Sequence, residues 1–184
     1  ELERAALRGV RVRLLLDDNG IRGLDGTLAA LDALPNFQVR LFNPFAYRTF
    51  KWANYVTDFS RLNHRMHNKS FTADNQVTII GGRNIGDIYF GAAADHLFAD
   101  LDVLAIGPVV PKVSGEFDRY WASSLAYPIG RLVRPPREGT LARFDARDAR
   151  LAHDPAASAY RQALVEDRVV QRLFDKAELL TWAP

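Results

Sequence analysis

The chain has 184 residues, 48% of them hydrophobic, which is enough for one domain with a true core. Charged residues make up 25% and the formal net charge is +2, a balance that permits an anionic partner without arguing for one. Cysteine is absent, which excludes disulfide scaffolds, thiolate zinc sites and cysteine nucleophiles, and no run approaches the roughly 20 apolar residues that span a bilayer.

In chain order, residues 2–8 read as the end of a helix closed by Gly9. Val10, Val12 and Leu14 alternate with Arg11 and Arg13 at the period of a strand, which runs on through Leu16 and stops at the turn signal Asp17-Asp18-Asn19-Gly20. Residues 24–34 read as a helix stopped by Pro35, and residues 37–42 as a second strand. Residues 43–63 break the pattern as a loop or irregular helix. Two short strand-like runs follow, 65–71 and 76–80, separated by Ala73-Asp74-Asn75, and then a further strand at 97–106. Val110, Val113, Phe117 and Trp121 repeat at helical spacing, so 109–125 reads as an amphipathic helix. Residues 128–140, rich in Pro, Gly and Arg, form the best linker candidate, and 145–182 read as mainly helical. The domain division predicted is 1–127, then 128–184 as linker and helical extension. Helix followed by strand, twice, predicts an α/β fold with a mixed, mostly parallel sheet flanked by helices. The chain starts at Glu1 without Met and ends in Thr-Trp-Ala-Pro, and it reads as a fragment or processed piece.

The chemistry concentrates in His67-Asn68-Lys69, Asp74 and Gly81-Gly82-Arg83-Asn84. On a strand, His67 and Lys69 would leave the same face. An imidazole beside an ammonium suits a phosphate, since one group attacks phosphorus while the other holds its oxygens. Asp74 falls at the turn before the next strand. Gly81 and Gly82 would let backbone N–H groups approach an anion, and Asn84 would add an amide donor.

The pattern His-x-Lys-x4-Asp-x6-Gly-x-x-Asn, carried by His67, Lys69, Asp74, Gly81 and Asn84, resembles the signature of the phospholipase D superfamily. The stretches Gly-Gly-Arg-Asn-Ile-Gly-Asp at 81–87, Phe-Ala-Asp-Leu-Asp-Val at 98–103 and Phe-Asp-Arg-Tyr-Trp at 117–121 resemble the bacterial cardiolipin synthase C-type branch. That resemblance implies a phospholipase D-like fold and phosphatidyl transfer through a phosphohistidine, with no metal or other cofactor. His67 would be the nucleophile or its acid/base partner. Lys69, Asn84 and Arg83 would hold phosphate, Arg83 being equally placed for a salt bridge to Asp87, and Asp74 would orient or tune a histidine. Gly82 stands where most of the superfamily has Ser or Thr. The superfamily's site needs two such motifs, and this chain holds one, so the second would come from a missing half or a homodimer mate. The implied partners are glycerophospholipids, phosphatidylglycerol and phosphatidylethanolamine among them, with peripheral contact at the cytoplasmic face of the inner membrane. Rival readings are a phospholipase or nuclease completed by homodimerisation, or a catalytically silent domain that binds anionic lipid. Nucleic acid is disfavoured by the near-neutral charge.

Other features carry two readings each. His64 and His67 could mimic a metal pair, though no third ligand is evident; His96 and His153 read as surface residues. Asp95, Asp100 and Asp102 suggest a cation site or a turn and strand, with Asp102 buried near the active centre. The aromatic segment 42–59, with Arg48 and Lys51, reads as a membrane-facing lid or as packing under a long loop. Arg131, Arg134, Arg137, Arg143, Arg147 and Arg150 read as a solvated stretch or an anionic-surface contact.

Overall fold

A computed structural model describes residues 1–48, 62–82 and 101–152, together with Ser158, Gln162 and Glu166. The chain divides into two compact units, Glu1–His67 with Gly115–Asp145, and Asn68–Ser114 with Ala146–Pro184.

The first unit begins with α1 (Leu2–Leu7), which Gly9 closes at φ +96°, a left-handed conformation that glycine adopts without a Cβ penalty. Strands β1 (Val12–Asp17) and β2 (Phe37–Phe42) pair in parallel, Val12 opposite Phe37 and Asp17 opposite Phe42, joined by α2 (Asp25–Asp32). Because paired residues share a face, Val12, Leu14 and Leu16 line up with Phe37, Val39 and Leu41. This face builds the core with Ala6, Ile21, Leu28 and Ile129. Each large side chain buried there contributes about 1.5–3 kcal/mol before chain entropy is subtracted.

The opposite face meets the helix predicted from Val110, Val113, Phe117 and Trp121. That helix is α3 (Val109–Trp121), the element that begins in the second unit and ends in the first. Phe117 stacks on Trp121 with ring centroids 5.7 Å apart, and Tyr120 lies 5.6 Å from Phe42. The Arg13 guanidinium lies over the Phe117 and Trp121 rings, and Arg40 lies over Trp121 at 4.7 Å. Two cations are thus held between sheet and helix by aromatic faces, and Arg13 also pairs with Asp118 at 2.7 Å.

The stretch proposed as a linker is partly structural. It opens inside β6 (Ala126–Pro128), which pairs antiparallel with β2. Ile129 follows with no exposed surface, and Leu132 and Val133 pack on the core. Local Pro and Gly signals mark the chain reversals here, while burial ties the segment to the first unit. Helix α4 (Thr140–Ala152) comes next.

In the second unit β3 (Ser70–Ala73), β4 (Val77–Gly81) and β5 (Asp102–Ile106) form an antiparallel sheet. The mixed α/β character expected from the sequence is present. The parallel pairing, however, is confined to β1 with β2, and the other pairings among the described residues are antiparallel. The β3–β4 connection is a tight turn in which Gln76 N–H donates to the Ala73 carbonyl, with Asp74 at φ 51° and Asn75 at φ 55°. Two successive positive φ values are the geometry of a type I′ turn, and Asp and Asn tolerate them best among residues with a Cβ.

Candidate active site

The strand expected over 65–71 begins only at Ser70, and residues 64–69 have no regular secondary structure. Neither His67 nor Lys69 therefore lies on a strand. His67 ends the first unit and is exposed; Lys69 belongs to the second and is half-buried.

Within the first unit, the residues leading into His67 are tied to the C-terminal ends of β1 and β2. Asp17 Oδ1 accepts from Arg65 Nε at 3.0 Å and Nη2 at 2.8 Å, and Asp17 Oδ2 accepts from the Met66 N–H at 2.8 Å. The other arm of the Arg65 fork reaches the Asn43 carbonyl at 3.2 Å, and the guanidinium lies 5.1 Å from the Phe45 ring centroid. Asn43 is fully buried, and its Nδ2 donates to the His64 carbonyl at 2.7 Å. The sequence reading passed over Asp17, Asn43 and Arg65. Two signals pointed to them: carboxylates at the C-terminal end of a parallel strand, where α/β folds gather functional groups, and an arginine two residues ahead of the motif histidine.

Next door, Asp18 has no exposed surface and accepts from the Phe45 N–H and from Arg48, whose Nη1 lies 2.7 Å away. Arg48 also donates to Asp25 through Nε at 2.9 Å. Burial pulls the Arg48 guanidinium pKa down, but the hydrogen bonds to Asp25 and Asp18 outweigh it, and the pKa stands above its ordinary value. The suggestion that Arg48 meets anionic lipid is thereby corrected: its fork is engaged by two carboxylates. Phe42 and Phe45 are buried and Tyr47 is exposed, while the rest of the aromatic segment, with Lys51, lies outside the described residues.

In the second unit the motif residues separate along the hairpin. Gly81 N–H donates to the Lys69 carbonyl at 3.3 Å, so Lys69 and Gly81 share one end. Asp74 sits in the turn at the other end, roughly 15 Å away by strand rise. Asn75 beside it accepts from the Ser114 hydroxyl at 2.7 Å, tying the turn to the middle of α3. The structure thus gives Asp74 a backbone role and does not bring it to Lys69.

The glycines also act otherwise than expected. Gly81 N–H is taken by Lys69 and Gly82 N–H donates to the Leu101 carbonyl, so the sheet ladder occupies both groups proposed to cradle an anion. The absence of a side chain at Gly81 has a different cause. A Cβ there would lie 2.0 Å from Asp102 Oδ1, 2.7 Å from the Leu101 carbonyl oxygen and 2.9 Å from the Asp102 Cα. Asp102 itself, expected to be buried, is exposed. Arg83, Asn84, Asp87, Asp95, His96, Asp100 and His153 lie outside the described residues.

The six arginines between 131 and 150 are all exposed. Among the described residues no group of three or more His, Asp or Glu is placed to hold a metal ion, and no helix is long and apolar enough to cross a membrane. A cavity of about 520 Å³ in the first unit, lined by Arg11, Asp32, Phe37, Arg40 and Trp121 among others, includes none of the motif residues.

Comparison with known proteins bears on this arrangement. The family described as "Cardiolipin synthase, PLD-like domain" matches residues 1–121, a span that contains both the motif and the Asp17–Arg65 cluster. Cardiolipin synthase C of Escherichia coli is 50% identical over 179 residues, covering 97% of this chain and 38% of that protein. An uncharacterized Helicobacter pylori protein is 43% identical over 134 residues, 72% of this chain and 27% of its own length. Cardiolipin synthase A of Pseudomonas syringae is 34% identical over 143 residues, 76% and 28% respectively. The chain therefore spans between about a quarter and two fifths of the length of these relatives.

Proposed function

The chain belongs to the cardiolipin synthase family of phospholipase D-like domains, and on that premise we propose that it supplies one of two half-sites for phosphatidyl transfer through a phosphohistidine. The observation that carries the reading is the coincidence of the His67–Asn84 spacing with a family match over the same residues. In the reaction, an imidazole nitrogen attacks the phosphorus of a glycerophospholipid. A P–N bond forms, the P–O bond to the headgroup breaks, and the departing alkoxide takes a proton from the second imidazole. The hydroxyl of phosphatidylglycerol then gives its own proton to the second imidazole, now neutral, and attacks phosphorus as the P–N bond breaks, releasing the first histidine. His67 fills one of these two roles. Lys69 neutralises charge that develops on the non-bridging oxygens, Asn84 donates hydrogen bonds to them, and Arg83 is a further candidate to hold the phosphate. Gly81 brings β4 close enough to β5 to hold that end of the hairpin in place. Asp74 contributes by fixing the turn, a role better supported by its place in the hairpin than the tuning of a histidine.

The second histidine and lysine come from a further half of the protein or from a second copy of this chain. The substrates are phosphatidylglycerol and phosphatidylethanolamine, met at the inner face of a membrane by peripheral contact. The test is to incubate the complete gene product with vesicles of phosphatidylglycerol, with and without phosphatidylethanolamine, and to follow products by mass spectrometry. Cardiolipin is the expected product. Phosphatidic acid alone would assign hydrolysis instead, since transfer and hydrolysis differ in which acceptor reaches the intermediate. Vesicle binding without turnover would leave a silent lipid-binding domain, and cleavage of oligonucleotides in its place would assign a nuclease.

A further inference from the structure

The residues just ahead of His67 have no helix or sheet to hold them, yet each is fastened. His64 offers its carbonyl to Asn43, Arg65 bridges Asp17 and the Asn43 carbonyl, and Met66 donates its N–H to Asp17. Asp17 is the hub. Its carboxylate accepts from Arg65 Nε, Arg65 Nη2, the Met66 N–H and the Asn19 N–H, at distances from 2.8 to 3.0 Å. The pair is largely withdrawn from water, with side-chain exposures of 14% for Arg65 and 16% for Asp17. Asn43 holds its place with φ 48°, and its own N–H donates to the Leu125 carbonyl. All of these residues lie in the same compact unit as His67.

We infer that Asp17, Arg65 and Asn43 form a positioning clamp that fixes the main chain entering His67, so that the imidazole is presented from the C-terminal ends of β1 and β2 rather than from a wandering loop. The inference rests on the proposed role of His67 and adds three residues outside the motif. Its physical basis is that a reacting group displaced by about 1 Å loses on the order of a hundredfold in rate. An irregular segment keeps such precision only when its backbone polar groups have fixed partners. Carboxylate chemistry matters here. An amide at position 17 must turn a donor toward either the Arg65 fork or the Met66 N–H, breaking one arm of the clamp. Lysine at position 65 keeps the charge but cannot span Asp17 and the Asn43 carbonyl with a planar fork.

The test uses the complete gene product, vesicles of phosphatidylglycerol and phosphatidylethanolamine, and the variants D17N, R65A and R65K, with H67N as reference. D17N and R65A are expected to lower kcat by about tenfold or more while KM stays within about twofold, and R65K to recover part of the loss. Hydrogen exchange read by mass spectrometry is expected to rise in the peptide covering 64–67 and to stay unchanged in α2. Turnover like wild type in D17N and R65A, beside an inactive H67N, overturns the clamp. Retained turnover in H67N removes the catalytic reading itself; the clamp is then judged on exchange alone, and unchanged protection over 64–67 in D17N overturns it. Should D17N fail to fold, R65K, which leaves Asp17 its cationic partner, carries the same kinetic and exchange comparison.

Discussion

Replacing Gly81 by Ala tests whether β4 and β5 meet as closely as described. The added Cβ would stand 2.0 Å from a carboxylate oxygen of Asp102, a contact a rotating side chain could relieve. It would also stand 2.7 Å from the Leu101 carbonyl oxygen and 2.9 Å from the Asp102 Cα, which no rotamer can move. Ordinary contacts are roughly 3.5 Å, so β5 must shift by roughly 0.8 Å. The Gly82 N–H to Leu101 carbonyl bond opposes that shift. Overpacking of this kind costs about 1–3 kcal/mol; a value of about 2 kcal/mol lowers Tm by about 4–8 °C in a chain of this size. Gly115 is the control: it lies inside α3 with nothing within 4 Å of its would-be Cβ. G115A is therefore expected to stabilise by about 0.5–1 kcal/mol. Differential scanning calorimetry of both variants decides the matter. A G81A protein that melts within about 1 °C of wild type would refute the close approach.

Three further outcomes follow from named contacts. R48A removes the cationic partner of the fully buried Asp18 and is expected to cost about 3–5 kcal/mol in urea unfolding; a loss below about 1 kcal/mol would mean that the other partners of Asp18 suffice. At position 74, D74N should keep stability and turnover, because Asn accepts the same positive φ, whereas D74A should cost about 1–2 kcal/mol; inactive but well-folded D74N would restore a chemical role to the carboxylate. The Glu3 carboxyl is pushed up by burial and then by the nearby Asp145. A carboxyl whose folded-state pKa is raised gives a contribution to stability at low pH that is lost as pH rises through that pKa. E3Q should therefore melt higher than wild type at about pH 7 and show no such gain at about pH 3; an equal gain at both would exclude titration of Glu3 as the cause.

Elements whose patterns are local were legible from the chain. The strand expected over 37–42 appears with those bounds, because its alternating apolar residues face one core. Gly9 closes α1 as its position implied, and Asp74-Asn75 form the turn their residue types favour. What escaped depends on distant partners. Residues 65–69 carry a strand-like pattern, but Asp17, 48 positions from Arg65, captures the Arg65 side chain and the Met66 N–H. The first residues of the expected linker look like a chain break until Ile129 is seen to enter the core. At the site, Lys69 and Gly81 meet through a backbone hydrogen bond at one end of the hairpin. A steric reason for the glycine at 81, the approach of Asp102 and Leu101 across the sheet, shows only once β5 is in place. The turn position of Asp74 was legible from its neighbours, and that position is what sets it apart from Lys69.

The most direct measurement is cardiolipin formation by the H67A form of the complete gene product, assayed on phosphatidylglycerol vesicles with its melting curve recorded alongside. A folded protein whose rate falls by at least about a hundredfold is the expected result whether the imidazole attacks phosphorus or moves the proton. A folded H67A protein that makes cardiolipin at the wild-type rate would contradict the account.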